Sequence, residues 1–347
     1  MTLCDRLAGL TLSVEGYTLS GLERTTPAGW TRKSTVVTLR GGGHEGQGED
    51  VTYQPEDHEP FQAAGSVHDL SGRWTLAEFS QRLDGLPLFA SPPLDPKSTL
   101  YRRWAFESAA LDLALRQAGT SLAAFVGREP QPLTYVVSLG LGSPPSLAPL
   151  EGLWASYPDA RLKLDADLDW TDELVAQLAG TGKVDCVDLK GQYTKGPFRG
   201  TDPDGALYQR VAEAFPEAWL EDPGWTPETK AALAEHLQRV TYDAPICSLS
   251  DLEQVWPRPQ AVNIKPSRFG RVLELFRAYA WCEANGVVMY GGGQFELGVG
   301  RSQIQLLASL FHPTSANDVA PSGFNLPELA SDLPASPLRV ENQVGFR

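Results

Sequence analysis

The pattern of hydrophobic and polar positions changes near residue 130 of the chain. In the first part, Leu12, Val14 and Tyr17 alternate with polar residues, and the β-branched run Ser34–Leu39 comes later. Alternation with a period of two is typical of half-buried strands, so these residues predict a small antiparallel sheet. The polar, glycine- and proline-containing stretch Leu19–Arg32 predicts a loop between the strands.

Helical signals follow this sheet. The segment Arg102–Gln117 carries a broad apolar face and has Gly119 near its end, which predicts a long helix. Shorter helices are predicted over Leu76–Leu83 and Leu122–Val126. The glycine-rich segment Gly41–Asp50 predicts a turn into a last strand. It lacks the strand and helix that flank a dinucleotide-binding turn, so we expect no phosphate site there.

Beyond the Gly- and Pro-rich segment Gly127–Pro132, short apolar runs alternate with helical segments. Strands separated by helices pair in parallel through right-handed crossovers. Seven such units, with a short eighth strand near Asn317–Ala320, predict an α/β fold with a closed (β/α) barrel. A doubly wound open sheet is the alternative, but Gly140–Pro144 does not supply the phosphate turn expected after its first strand. The predicted strands are Thr134–Leu139, Ala160–Asp165, Val184–Lys190, Ala218–Asp222, Arg239–Asp243, Ala261–Lys265 and Gly286–Tyr290.

The composition argues against several classes of partner. The 347 residues have a net charge of −14, with 42% hydrophobic and 21% charged residues. A charge of this sign argues against nucleic acid and against an anionic membrane surface. The four cysteines lack the spacing of a metal site, and no apolar run reaches the length of a membrane span. We therefore expect a soluble, cytoplasmic protein whose partner is a small molecule.

Charged residues collect at the carboxyl ends of the predicted barrel strands, where the chemistry of such barrels takes place. Asp188, Glu221 and Asp243 end three successive strands. Three converging carboxylates repel one another and raise one another's pKa unless a cation holds them. Hard oxygen ligands suit Mg²⁺, so these residues predict a site for one Mg²⁺ ion. The alternative is that each acid faces solvent or a salt-bridge partner.

The stretch Ala261–Gly270 places one lysine, Lys265, at the end of a buried strand. Burial disfavours the charged form of a lysine, and this is how a lysine becomes a proton acceptor. A strand-end lysine that only reaches solvent is the alternative. The acidic strand ends on the neighbouring strands favour the catalytic interpretation.

Four stretches carry a resemblance to a known family. The chain resembles the muconate-lactonizing branch of the enolase superfamily, and within it o-succinylbenzoate synthase and N-acylamino-acid racemase. The match runs over nearly the whole length, and its last two stretches are specific. The four stretches are His44–Glu49, Trp219–Pro223, Asn263–Gly270 and Gly292–Arg301.

The resemblance implies a modified TIM (β/α) barrel under an α+β capping domain, with the active site at their junction. We expect the capping domain over residues 1–130 and the barrel over 131–322. Residues 323–347 would form a tail that returns to the capping domain.

The resemblance also implies roles for the strand-end residues. Asp188, Glu221 and Asp243 would hold one Mg²⁺, and the substrate carboxylate would bind that ion. Lys163 and Lys265 would be the acid/base groups, on opposite faces of the substrate's α-carbon.

Three positions depart from the family's usual residues. Arg161 replaces the first lysine of a Lys-x-Lys pair that ends in Lys163, and Ala244 replaces a supporting glutamate. Lys190 stands where asparagine is usual, and its ammonium would compete with Mg²⁺. Asp165 points to the same side of its strand as Lys163, so it is an alternative residue for the site.

Four further residues are expected to contact the substrate: Arg161, Lys190, Arg268 and Glu296. Arg268 would pair either with a substrate carboxylate or with Asp222. Glu296 would act near the substrate or be a structural loop carboxylate.

The expected function is Mg²⁺-dependent removal of an α-proton from a carboxylate substrate through an enediolate. The outcome would be dehydration, as in o-succinylbenzoate synthase, or racemisation of an N-acylamino acid. The alternative is a divergent scaffold that binds without turnover, in which Lys190 pairs with Asp188 or Glu221. Whether the chain forms a homo-oligomer is left open.

Overall fold

The computed structural model describes residues 1–26, 29–193, 200–326 and 328–347 of the chain. Within them, the second half forms a sheet of seven parallel strands in sequential order. This confirms the predicted barrel, although most strands are one to three residues shorter than predicted. With five N-terminal strands numbered first, the barrel strands are β6 (Val137–Leu139), β7 (Leu162–Asp165), β8 (Val184–Asp188), β9 (Trp219–Glu221), β10 (Val240–Tyr242), β11 (Ala261–Ile264) and β12 (Val288–Gly291).

Two isolated bridges join the edges of this sheet. Asn317 pairs with Tyr135, just before β6, and Asp318 pairs with Gly292, just after β12. The Asp318 amide donates to the Gly291 carbonyl at 2.7 Å. The predicted eighth strand is therefore present only as these bridges, which lie between the first strand and the seventh.

The N-terminal region contains a separate antiparallel sheet of three strands and a two-stranded ribbon. The ribbon pairs β1 with β5, a strand that the sequence pattern did not reveal. Tyr17 belongs to β2 and not to the first strand, because Glu15 separates the two. The strands are β1 (Thr11–Val14), β2 (Gly16–Thr25), β3 (Thr31–Gly41), β4 (His44–Asp50) and β5 (Gly72–Thr75).

The prediction of a loop over Leu19–Arg32 is wrong for most of that stretch. Residues up to Thr25 continue β2, and β3 begins at Thr31 with a register that pairs the two strands throughout. The strand was missed because its outer part is exposed on both faces, so its polar residues show no alternation. Backbone pairing alone extends this hairpin. Pro27 and Ala28, within the predicted loop, lie outside the described residues.

Helices surround both parts of the fold. Leu76–Asp84 and Leu122–Val126 match their predicted helices closely, and the long helix begins at Ser98, one turn earlier than predicted. The helices are α1 (Leu3–Ala8), α2 (Pro55–Ala64), α3 (Leu76–Asp84), α4 (Ser98–Gln117), α5 (Leu122–Val126), α6 (Ala148–Ser156), α7 (Asp172–Gly180), α8 (Gly205–Ala214), α9 (Pro227–Ala232), α10 (Leu249–Gln254), α11 (Pro266–Phe269), α12 (Val272–Asn285) and α13 (Val299–Phe311), with short 3₁₀ helices at Leu237–Arg239 and Ser322–Asn325. Among the described residues, none of these helices is both long and apolar enough to cross a membrane.

Two buried side chains of the N-terminal region fasten it to the loop after β12. The Arg32 guanidinium donates to the Val51 carbonyl on its own side, and to the carbonyls of Gln294 and Phe295 across the junction, at 3.0 and 3.3 Å. The Glu49 carboxylate accepts three backbone N–H groups around the start of α13, at 2.6 to 3.0 Å. A carboxylate in this place satisfies free amides at a helix N-terminus. The two parts are thus joined by polar contacts beside the carboxyl ends of the strands.

The C-terminal residues return to α4. The Phe346 amide donates to Asp112, and the buried Phe346 ring packs edge-on against Trp104 at 6.4 Å. The chain end therefore lies against the N-terminal region.

Glycines 46 and 48 let β4 approach α4 closely. A Cβ atom at Gly46 would lie 2.2 Å from the Leu113 nitrogen, and one at Gly48 would lie 2.1 Å from the Ala105 carbonyl oxygen. Both neighbours are helix backbone atoms, so they cannot move aside without a loss of stability. These two glycines belong to one of the stretches that carried the family resemblance. The close packing of β4 on α4 explains why both positions are glycine.

We expect Gly48→Ala to lower the free energy of unfolding by about 1–3 kcal/mol, because the added methyl overpacks the contact between β4 and α4. Urea unfolding followed by circular dichroism measures the change. Gly152→Ala in α6 is the matched control, since a Cβ there meets nothing within 4 Å. An unchanged unfolding midpoint for Gly48→Ala would contradict the close packing.

Candidate active site

Three carboxylates converge at the carboxyl ends of β8, β9 and β10. Asp188 and Glu221 are the last residues of their strands and lie opposite each other in the register, and Asp243 follows β10 directly. All three residues are buried, and each offers an oxygen within 4.8 Å of the others. The structure thus brings together the three residues predicted as metal ligands.

The Glu221 carboxylate is hydrogen-bonded by three side chains. Its Oε1 accepts a hydrogen bond from the Lys163 ammonium. Its Oε2 accepts from the Asn263 amide at 3.1 Å and from the Tyr290 hydroxyl. Charge-assisted hydrogen bonds of this kind fix a buried carboxylate in one orientation.

Asp188 is bonded by a single residue of its own loop. The Lys190 backbone amide donates to Oδ1 at 2.9 Å, and the Lys190 ammonium donates to Oδ2 at 2.6 Å. The same ammonium lies 3.1 Å from Asp165 Oδ1.

Asp243 is held by two cations and a phenol. The Arg268 guanidinium contacts Oδ1 at 2.7 Å, and the Lys265 ammonium lies 2.9 Å from Oδ2. The Tyr193 hydroxyl donates to Oδ2 at 3.0 Å. Burial raises the pKa of Asp243, but Arg268 and Lys265 lower it by more, so the pKa lies well below its usual range.

A further buried carboxylate fixes the backbone of the site. Asp222 accepts the amides of Asp243 and Ala244 at 2.8 and 2.9 Å, and so orients the end of β10. Asp222 and Lys190 both have φ of +53°, the left-handed region that non-glycine residues rarely adopt. Such strain is tolerated where the surroundings hold it, as at functional sites.

The carboxylates of this cluster outnumber its cations. We define the cluster as six carboxylates and four cations. Its members are Asp165, Asp188, Glu221, Asp222, Asp243 and Asp318 with Lys163, Lys190, Lys265 and Arg268.

Burial is the largest cause of the raised pKa values of carboxylates in this cluster. Burial raises the pKa of Asp222 well above its usual range, and the neighbouring carboxylates raise it further. Burial likewise raises the pKa of Glu221 and of Asp318, although Lys163 opposes the effect in both. For Lys163 itself, burial lowers the pKa, but the surrounding carboxylates raise it by more.

The donor set fits Mg²⁺. Three buried carboxylates converge, and all donor atoms are hard oxygens. Asp188, Glu221 and Asp243 would hold the ion. The ion would share these carboxylates with the three ammonium groups and the one guanidinium that already contact them.

The two predicted acid/base lysines both reach the cluster. Lys163 is 2% exposed and is fixed on Glu221, with Asp318 at 3.6 Å. Lys265 is 8% exposed and faces Asp243. A Cβ atom at Gly292 would lie 2.6 Å from Lys265 Cε, so the glycine leaves the space in which the lysine side chain runs.

The structure places the four residues predicted to contact a substrate in different surroundings. Lys190 lies in the cluster, but Arg161 lies at the start of β7, exposed and paired with Asp185, and the structure does not bring it to the site. Arg268 pairs with Asp243, which is neither of its two expected partners. Glu296 is buried and pairs with Arg301 at 3.1 Å.

Arg161 was misplaced because its strand presents alternate residues to the barrel interior. A residue two positions before Lys163 points to the same side, but it lies about 6–7 Å lower along the strand, at the far end from the carboxylates. The residue that shares the carboxyl end with Lys163 is Asp165, the alternative weighed for this strand.

Several residues of the site were not singled out from the sequence. Asn263 lies two positions before Lys265, so strand alternation could have revealed it. Tyr290 ends the predicted seventh strand and could have been found in the same way. Asp318 belongs to the short eighth strand and Tyr193 to the loop after β8, and only the fold brings them to the carboxylates.

A small pocket lies beside the site, between the N-terminal hairpin and the loop after β12. Its lining includes Arg24 and Arg32 from the hairpin strands and Phe295 and Glu296 from the loop. The pocket shows that the N-terminal region covers this side of the barrel.

Comparisons with known proteins agree with this geometry. Residues 129–326 match the C-terminal domain, and residues 5–125 the N-terminal domain, of a family described as "Domain of unknown function (DUF8230)". The chain is similar to an N-succinylamino acid racemase of an Amycolatopsis species, with 30% identity over 233 residues, which are 63% of this chain and 60% of that protein. The alignment thus spans less than two thirds of the racemase.

Solved structures share the fold at low sequence identity. A member of the enolase superfamily from Listeria innocua Clip11262 superposes with a TM-score of 0.70 and 18% identity, covering 96% of this chain and 94% of that one. A dipeptide epimerase from Methylococcus capsulatus, solved with a Mg ion, superposes with a TM-score of 0.70 and 19% identity, covering 96% and 99%. The predicted resemblance to the enolase superfamily is confirmed.

We expect Arg268→Met to lower the free energy of unfolding by about 3–5 kcal/mol, because it removes a cation from a buried carboxylate. Urea unfolding at neutral pH gives the value. Arg161→Met is the matched control and should cost only about 0–1 kcal/mol, since its ion pair is exposed. Equal losses in the two variants would contradict the placement of Arg268 inside the cluster and of Arg161 outside it.

Proposed function

We propose that this chain, which belongs to the DUF8230 family and has the fold of the enolase superfamily, is an Mg²⁺-dependent enzyme that removes the α-proton of a small carboxylate substrate. One observation carries the proposal. Three buried carboxylates converge at strand ends, in a cluster with more carboxylates than cations, and Lys265 lies at their edge. A site of this composition suits a divalent cation next to a proton-transfer group.

A bound Mg²⁺ would supply positive charge next to the substrate carboxylate, where negative charge develops as the α-proton leaves. The residues of the chain do the rest. Lys265, which is almost fully buried, accepts the proton at its Nζ as the neutral amine, becomes the ammonium, and can return the proton. Gly292 leaves the space for this side chain, and Asn263 and Tyr290 fix the Glu221 ligand below it.

The second face of the substrate is assigned to β7. Lys163 is the proposed acid/base group there, and its ammonium is bonded to Glu221. Asp165, nearer the strand end and more exposed, is the competing residue. If β7 supplies a proton on the second face, both enantiomers of a substrate exchange and racemise. If it does not, the α-proton of only one enantiomer exchanges.

For the substrate class we propose N-acylamino acids, with dehydration of a β-hydroxy carboxylate as in o-succinylbenzoate synthase as the related outcome. The similarity to an N-succinylamino acid racemase supports the first class. Both reactions begin with loss of the same α-proton, so the two differ in what leaves or returns afterwards.

A second candidate function is a scaffold that binds without turnover. The contact between Lys190 and Asp188 favours it, because an ammonium already neutralises one of the three proposed ligands. This candidate predicts weak or absent Mg²⁺ binding.

We expect the wild-type chain with Mg²⁺ in D₂O to exchange the α-proton of at least one N-acylamino acid, followed by NMR. Lys265→Met should reduce the exchange rate by about 10²–10⁴-fold, because it removes a general acid/base. Lys230→Ala is the control, since Lys230 lies over Trp256, away from the cluster. Absence of exchange across a broad panel of carboxylates would refute the proposal for the classes tested.

Metal binding separates the two candidate functions. We expect Mg²⁺ added to chelator-treated protein to stabilise the fold, by about 2.7 kcal/mol when the ion is at 100 times its dissociation constant. Differential scanning calorimetry with and without the ion measures this as a rise in Tm. An unchanged Tm at millimolar Mg²⁺ would favour the scaffold without turnover.

A further inference from the structure

Lys190 lies between two carboxylates of unequal exposure. Its Nζ is 2.6 Å from Asp188 Oδ2 and 3.1 Å from Asp165 Oδ1. The Asp188 side chain is fully buried, whereas that of Asp165 is 43% exposed. The two aspartates are direct neighbours in the register of β7 and β8. One ammonium can therefore bind either of them after a small rotation of its own side chain.

The surroundings of Lys190 hold it in this place. Its φ of +53° turns the chain sharply after β8, and its own amide donates to Asp188 Oδ1. The ring of Tyr193 lies 5.3 Å from the ammonium, within the range of a cation–π contact. A Cβ atom at Gly200 would lie 2.1 Å from the Lys190 carbonyl oxygen, so the returning chain packs directly on this turn.

We propose that Asp165 is a positioning residue for the cation site: it draws the Lys190 ammonium away from Asp188 and retains it when Mg²⁺ binds there. This inference rests on the proposed function, because it requires that Asp188 be a ligand. In this role Asp165 acts through Lys190 and is not itself a ligand of the ion.

The physical reason is competition for one oxygen. The Lys190 ammonium bonds Asp188 Oδ2 while the backbone amide bonds Oδ1, so an ion that binds at Oδ2 competes directly with the ammonium. Within the described part of the chain, Lys190 is the single ion-pair partner found for Asp165, so this carboxylate is available to take the ammonium over. Without Asp165, the ammonium has one anionic partner left, and that partner is the ligand.

The test is calorimetric titration of Mg²⁺ into the wild-type protein and four variants, with no measurement of activity. Asp165→Asn should weaken Mg²⁺ binding by about 10–100-fold, the usual effect of removing a residue that supports a metal ligand. Lys190→Met should tighten binding, because the competitor is gone. Lys163, at 3.9 Å, still faces Asp188 in that variant.

The double variant D165N/K190M separates positioning from a direct effect of charge. If Asp165 acts through Lys190, the double variant should bind Mg²⁺ as tightly as Lys190→Met alone. Asp185→Asn is the matched control and should leave the affinity unchanged, since Asp185 pairs with Arg161 at the other end of the strands. Circular dichroism and urea midpoints establish that all variants are folded.

Each of the remaining outcomes overturns either this inference or the metal site. Unchanged affinity in Asp165→Asn, or an equal loss of affinity with and without Lys190, overturns the inference and leaves the proposed function intact. Binding in Lys190→Met but not in the wild type also overturns it, because Asp165 then fails to keep the ammonium off Asp188. No binding in any variant overturns the metal site itself, and the inference with it.

Discussion

Repulsion among buried carboxylates is the constraint on which the site depends. Asp188, Glu221 and Asp243 lie within 4.8 Å of one another in the protein interior, where water screens little of their charge. Their mutual repulsion is tolerated because each carboxylate contacts a cation: Lys163 contacts Glu221, Lys190 contacts Asp188 and Lys265 contacts Asp243. Even so, the cluster holds more carboxylates than cations. The left-handed turns after β8 and β9 serve the same arrangement, because they bring Lys190 and Asp222 back toward the cluster.

The N-terminal region is joined to the barrel at the same end as this cluster. Arg32 donates to carbonyls of the loop after β12, and Glu49 accepts the free amides around α13. These groups are buried and hydrogen-bonded, so loss of one partner would leave an unsatisfied polar group in the interior. The loop that carries Gly292 and Glu296 is therefore fixed from both sides, which holds the space around Lys265 constant.

Sequence patterns failed where side-chain alternation does not report backbone structure. The stretch Leu19–Arg32 was predicted as a loop because its outer residues are polar on both faces, yet backbone pairing with the next strand extends it as a hairpin. Arg161 was placed in the site because it stands at the first position of the family's Lys-x-Lys pair, which ends in Lys163. Its height along the strand, which side-chain periodicity does not encode, puts it at the opposite end. The short β6 and the bridges at Asn317 and Asp318 show that the sequence pattern did not predict strand length either.

The sequence by itself determined the barrel, its covering N-terminal region and the residues at the strand ends. Period-two and helical patterns record which face of each element is buried, and they indicated the acidic strand ends, although not the strand lengths. Only the tertiary structure decided which charges meet across elements. The contacts of Lys190 with Asp165, of Arg268 with Asp243, and of Asp318 with Lys163 join residues from different strands and loops. Such pairings depend on distances of a few ångströms between elements that are far apart along the chain, and no local pattern contains them.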